Sequence, residues 1–131
     1  MRTLILCIFF FSQTSPSPQV KIISQEFSIQ NFATALITQL DGDADVVYWD
    51  NDNILVQTSV QSISSHTSAY SLDYMIGKGF FELDCCLIDD AKTLLLKSKK
   101  INNSIFYRGQ KQKTKQVFKI FIPKRLQYSI Q

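Results

Sequence analysis

Histidine, proline and glycine are scarce in this chain, and acidic residues vanish from its last third. The 131 residues hold one His, three Pro and four Gly, and no Asp or Glu follows Asp90. Each shortage removes a class of function. The single histidine, His66, lies in a Ser/Thr-rich stretch with no glycine elbow nearby, whereas a catalytic base needs a nucleophile and an orienting partner within reach. Phosphate-cradling glycine loops are missing. Acidic pairs fall in turns or on the polar faces of strands, where nothing drives two carboxyl groups to divide acid and base roles. The chain is therefore expected to be no enzyme and to hold no cofactor.

Long apolar runs are also missing. The longest, Thr3 to Phe11 (TLILCIFFF), has nine residues, against roughly 20 for a membrane-spanning helix. With Arg2 before it and the polar, proline-bearing Ser12 to Pro18 after it, this stretch has the layout of an export signal. Residues 1–18 are accordingly expected to be a signal peptide, and the protein to be exported to the periplasm, the outer-membrane surface or the extracellular space. Cys7 lies inside the apolar stretch instead of after it, which is the wrong place for lipid attachment. The other two cysteines, Cys85 and Cys86, are neighbours. Adjacent strand residues face opposite ways, so the pair cannot easily bridge, and no second C-x-x-C or His pair completes a metal site.

What remains is rich in Ile, Val, Phe and Tyr, a composition that favours strands joined by short polar turns. Residues 19–131 read as one mainly-β domain, since domains of this size rarely divide. Strands are expected at Val20 to Ile29 (as one strand or as two broken near Ser24-Gln25), Ala33 to Leu40, Ala44 to Trp49, Ile54 to Val60, Phe80 to Leu87, Thr93 to Lys97, Ile105 to Tyr107, Val117 to Ile122 and Leu126 to Ile130. Asp41-Gly42-Asp43 and Asp50-Asn51-Asp52-Asn53 form turns between them, because short polar side chains bond nearby backbone and tolerate positive φ. In the fourth strand Ile54, Val56, Thr58 and Val60 share one face, which is expected to be buried. One short helix is expected near 68–77, with Ala69, Leu72 and Ile76 on one side and a glycine stop. The stretch Lys111 to Lys115 (KQKTK) reads as a mobile basic tip. A strand and turn about every 10 to 12 residues suits stacked strands, as in a β-solenoid, with a sandwich as the alternative.

Charge is split along the chain. Residues 1–90 hold three basic and eleven acidic side chains, net −8, and residues 91–131 hold eleven basic and no acidic ones, net +11. One consequence is a basic surface for an anion such as an envelope lipid or a polyanion, with Lys99, Lys100, Arg108, Lys111, Lys113, Lys115, Lys124 and Arg125 as its contacts. The other is internal matching, in which basic late strands lie beside acidic early ones. Nucleic acid is not expected, because no arginine-aromatic pattern accompanies the run. The acidic string Asp41, Asp43, Asp45 and Asp52 has the outline of a calcium loop. It lacks the sixth-position glycine, where Val46 stands, and the bidentate glutamate, where Asp52 stands.

The segment Asp41-Gly42-Asp43-Ala44-Asp45-Val46-Val47-Tyr48-Trp49-Asp50-Asn51-Asp52-Asn53-Ile54-Leu55-Val56 resembles the x-G-D-V-x-V-x-x-W-D-x-N-x-V-x-V opening of a family of uncharacterised adhesin-type domains exported by Gram-negative bacteria. Phe118 to Leu126 (FKIFIPKRL) is similar to the same family's V-x-V-x-V-P-K-x-L strand, although Ala44 departs from its Gly-Asp-Val step. The resemblance implies a secreted or surface-facing β-solenoid with an adhesin-like interaction or scaffold role and no catalytic residues. It also implies that Gly42 makes a turn, that Trp49 packs at a corner, and that further coils follow the point where this sequence stops. A domain incomplete at its C-terminus would leave an open edge, so self-association through the C-terminal strand is expected.

Overall fold

The computed structural model describes residues 20–63, 69–88, 92–99 and 105–130. The signal segment, His66, the turn at Asp89-Asp90 and Lys100 lie outside the described residues. In chain order the elements are β1 (Val20–Ser28), β2 (Ala35–Gln39), β3 (Asp43–Trp49), β4 (Asn53–Ser62), α1 (Ala69–Gly77), β5 (Leu83–Ile88), β6 (Thr93–Ser98), β7 (Ile105–Tyr107), β8 (Gln110–Gln112), β9 (Thr114–Pro123) and β10 (Gln127–Ile130). The fold is mainly β with one short helix. Two four-stranded sheets form, sheet I in the order β1-β4-β9-β3 and sheet II in the order β10-β2-β6-β5, with β7 and β8 as a separate hairpin. Both large sheets are mixed: β3 runs parallel to β9 and β2 runs parallel to β6 and β10, while the remaining pairs are antiparallel.

Alternation builds the core. In β4 the residues Ile54, Val56, Thr58 and Val60 are all buried, as the spacing predicts, and in β9 Phe118, Ile120 and Ile122 are fully buried on the same side of sheet I. Of these, Ile54, Val56, Phe118, Ile120 and Ile122 meet Leu36, Leu83, Leu94 and Leu96 from sheet II in one cluster, so the two inner faces share this core. The most consequential feature is the place of β9. Strands β3 and β4 are joined by a turn of only three residues, yet β9 lies between them, parallel to one and antiparallel to the other. Pro123 ends β9 where the ladder stops, which suits a residue without an amide proton.

The two sides of this pair of sheets differ. Along the β1/β5 side, Leu72 and Met75 of α1 pack with Phe81, Val60 and Ile23 in a second cluster. Asp73 of α1 pairs with Lys21 at 3.4 Å. The Gln25 side chain links the sheets there, its Oε1 accepting from the Leu83 amide at 3.0 Å and its Nε2 donating to the Phe81 carbonyl at 3.5 Å. Nothing comparable covers the β3/β10 side among the described residues. Tyr48 shares a face with Ala44 and Val46, which pack on the core, yet it is 47 % exposed. Thr38, Leu40, Ala44 and Tyr128 line an open groove between the two free edges.

Two expectations need correction. The KQKTK stretch is no mobile tip: Lys111 belongs to β8, Thr114 and Lys115 begin β9, and Gln112 between them is buried. The actual tip is Arg108-Gly109, with φ of 52° and 78°, the left-handed pair that a two-residue hairpin requires. Phe80 and Phe81 lie in a turn before β5, because the Phe80 and Glu82 amides bond back to the Met75 and Gly79 carbonyls and extend the helix stop.

Gly42 makes the corner between β2 and β3. A Cβ at this position would run into the backbone carbonyl oxygen of Gln116 in β9, and backbone cannot step aside as a flexible side chain does. Gly42→Ala is predicted to destabilise the fold by about 2 kcal/mol or more. The urea unfolding midpoint measures this, and an unchanged midpoint would contradict the close approach of the corner to β9.

Candidate functional site

Of the eight basic residues singled out in the sequence, the seven that are described do not form one site. Arg125 sits in the turn between β9 and β10, its side chain 33 % exposed. Its guanidinium donates to the Ala33 carbonyl at 2.6 Å, to Asn31 at 3.0 Å, to Gln30 at 3.2 Å and to Asp52 Oδ1 at 3.2 Å. Five donors in a rigid fork suit this task, and an arginine so occupied has little left for an external anion. It ties three separate stretches together: the β1–β2 loop, the β3–β4 turn and the β9–β10 turn. Lys124 beside it pairs with Asp50 at 2.8 Å, and Lys99 pairs with Glu82 at 3.6 Å. These three ion pairs each join an acid of the first 90 residues to a base of the last 41, as internal charge matching requires.

The remaining basic residues lie elsewhere. Lys111, Lys113 and Lys115 run along β8 and the start of β9, all exposed, and form no ion pair among the described residues. Arg108 is exposed at the nearby hairpin tip. Lys100 lies outside the described residues. The structure thus divides the basic run into an anchoring group around Arg125 and an outward group around Lys113. Five exposed apolar residues accompany the second group and were missed in the sequence: Val20, Ile22, Ile63, Phe106 and Val117. The signal was there in part. Ile22 and Ile23 are consecutive, so in a strand one of them has to face outward.

Trp49 is the last residue of β3, its ring 5.2 Å from Phe121 and its indole N–H donating to the Asn53 carbonyl at 2.9 Å. The acidic string is not gathered around a point. Asp43 and Asp45 are exposed on β3, Asp52 is engaged by Arg125, and no group of three or more His, Cys, Asp or Glu suited to a metal occurs among the described residues. Cys85 and Cys86 are both free thiols on β5. Burial pushes the Cys85 thiol up to about 11, with Cys86 and Asp84 adding to the rise, so near neutral pH it is protonated and a poor nucleophile.

Comparison with family models, with curated proteins and with solved structures finds no match to this chain. No helix among the described residues is long and apolar enough to cross a membrane. The functional reading therefore rests on geometry.

The two neighbouring cations give a paired test. Arg125→Met removes four hydrogen bonds made by one charged group and strands carbonyls under the turn, with a predicted cost of about 2 to 3 kcal/mol. Lys124→Met breaks only an exposed pair and should cost under about 0.5 kcal/mol. Chemical denaturation of both variants checks the order, and equal losses would contradict an anchoring role for Arg125.

Proposed function

We propose that this chain is an exported, adhesin-like β module that acts by non-covalent association, as an interaction or scaffold unit, through the open β3/β10 side. The carrying observation is the asymmetry of the two sides. Where α1 and Gln25 fill the β1/β5 side, inward-facing Tyr48 stays 47 % exposed on the other and Tyr128 lines an open groove. Each free edge strand also presents a row of backbone donors and acceptors that another strand satisfies. A solenoid-like stacking of further coils onto these edges would extend both sheets and cover the two tyrosines.

The edges are not equivalent. Asp43 and Asp45 stand exposed on β3, and charge is one of the usual guards against edge pairing. β10 (QYSI) carries neither charge nor proline and lies at the border of sheet II with β2 as its one neighbour. Self-association is assigned to β10. Tyr128 of β10 and Thr38 of β2 support this, because their hydroxyls bond at 3.1 Å and hold β10 in place against β2 without covering the edge. Export accords with the layout of residues 1–18, Arg2 followed by nine apolar residues.

Analytical ultracentrifugation over a range of concentrations tests the reading. The wild-type chain should associate reversibly, and Ser129→Lys, which places a charge on the exposed border of β10, should shift the equilibrium to monomer with the melting temperature unchanged. A wild-type protein that stays monomeric at every concentration would contradict edge association.

A further inference from the structure

A second surface lies on the outer face of sheet I, at the end where β1 and β9 begin. Val20 and Ile22 project outward from β1 and are 52 % and 67 % exposed. Register sets Ile22 beside Ser59 of β4, and Ser59 beside Val117 of β9, which is 40 % exposed. The small serine leaves two aliphatic groups standing above the sheet in one row. The next row is Val20, Gln61 and Lys115. Ile63, 60 % exposed, continues the outward face of β4, and its amide donates to the Lys113 carbonyl at 3.0 Å. Phe106, 56 % exposed on β7, stands opposite Lys111 across the hairpin.

Four of the eight large apolar side chains exposed among the described residues, Val20, Ile22, Ile63 and Val117, thus gather at this end, and a fifth, Phe106, stands on the hairpin that leads into β9. Three exposed lysines without ion pairs among the described residues, Lys111, Lys113 and Lys115, run along β8 and the start of β9 beside them. The acid in these rows is Asp43, at the far border beyond Val117. Such a concentration of water-exposed apolar groups marks a contact surface. The lysines decide its partner. Aliphatic and aromatic tips beside ammonium groups on flexible stems match the boundary of an anionic bilayer, where apolar groups enter among the acyl chains and lysine heads stay with the phosphates. A soluble polyanion would engage the lysines and leave the five apolar groups in water.

We propose that this face docks on the surface of a bilayer containing anionic phospholipid, with Lys111, Lys113 and Lys115 meeting headgroups and Ile22, Val117 and Phe106 entering the interface. It uses neither β10 nor the groove beside Tyr128, so the membrane face and the associating edge are separate surfaces of one module.

Co-sedimentation of the purified full chain with vesicles tests this, comparing phosphatidylcholine containing phosphatidylglycerol with phosphatidylcholine alone. Lys111→Gln/Lys113→Gln/Lys115→Gln should weaken binding to the anionic vesicles roughly a hundredfold, from about fivefold per lysine. Ile22→Ser/Val117→Ser should weaken it about tenfold, and Lys124→Gln, at the other end of β9, should leave it unchanged. All variants keep the same N-terminal segment, so their differences report on this face alone, and their melting temperatures show that each is folded. Equal binding of wild type and both multiple variants would overturn the proposal. So would a loss in the lysine variant with none in the Ile22→Ser/Val117→Ser variant, because that pattern describes a polyanion site and not a membrane face.

Discussion

Everything in this structure depends on the insertion of β9 between β3 and β4. Its inner residues Phe118, Ile120 and Ile122 are fully buried and face Leu36, Leu94 and Leu96 across the core. Without β9, sheet I is two strands on one side and an isolated strand on the other, and the core loses much of one wall. Burying a large aliphatic or aromatic side chain stabilises by roughly 1.5 to 3 kcal/mol, so these three positions account for a substantial share of the driving force. The insertion also makes the fold strongly non-local, since strands adjacent in sequence are separated in space by one from about 60 residues further on. Such pairing is slow to form and depends on the whole chain.

The charge pattern follows from the same constraint. The acidic early strands and turns and the basic late ones have to interleave once β9 enters sheet I, and the turns on either side of it meet through Lys124 with Asp50 and Arg125 with Asp52. Asp45 lies beside Lys119 on the outer face. Part of the basic run is consumed in this way, and Arg125 goes furthest, with three backbone carbonyls and a carboxylate around one guanidinium. Lys115, at the start of β9, faces Gln61 of β4 instead of an acid, and the stretch of β9 paired with β3 begins only at Val117. Anchoring and surface charge are thus two outcomes of one sequence bias.

Local features were legible in the sequence and non-local ones were not. The alternation of Ile54, Val56, Thr58 and Val60, the Asp41-Gly42-Asp43 and Asp50 to Asn53 turns, and the short helix over Ala69 to Gly77 all appear where periodicity and turn chemistry place them. The mixed sheet orders had no local trace, since the residues of β3, β4 and β9 each read as ordinary strands. The KQKTK segment misled for the same reason: five polar residues read as a tip unless the pairing of Lys111 with Phe106 is known. Arg125 reads as an outward contact in the sequence because nothing in its neighbours reveals the carbonyls that another loop brings to it.

Cysteine cross-linking in a background without the native thiols tests the placement of β9 most directly. With β9 inserted, Gln57→Cys and Lys119→Cys stand on adjacent strands and directly opposite each other, whereas Gln57→Cys and Asp45→Cys are separated by an intervening strand, roughly 10 Å away. The account predicts a rapid disulfide in the folded Gln57→Cys/Lys119→Cys variant and none in Gln57→Cys/Asp45→Cys. The reverse result, a bond between positions 57 and 45, would show that β3 and β4 form a simple hairpin and would contradict the architecture on which the other conclusions stand.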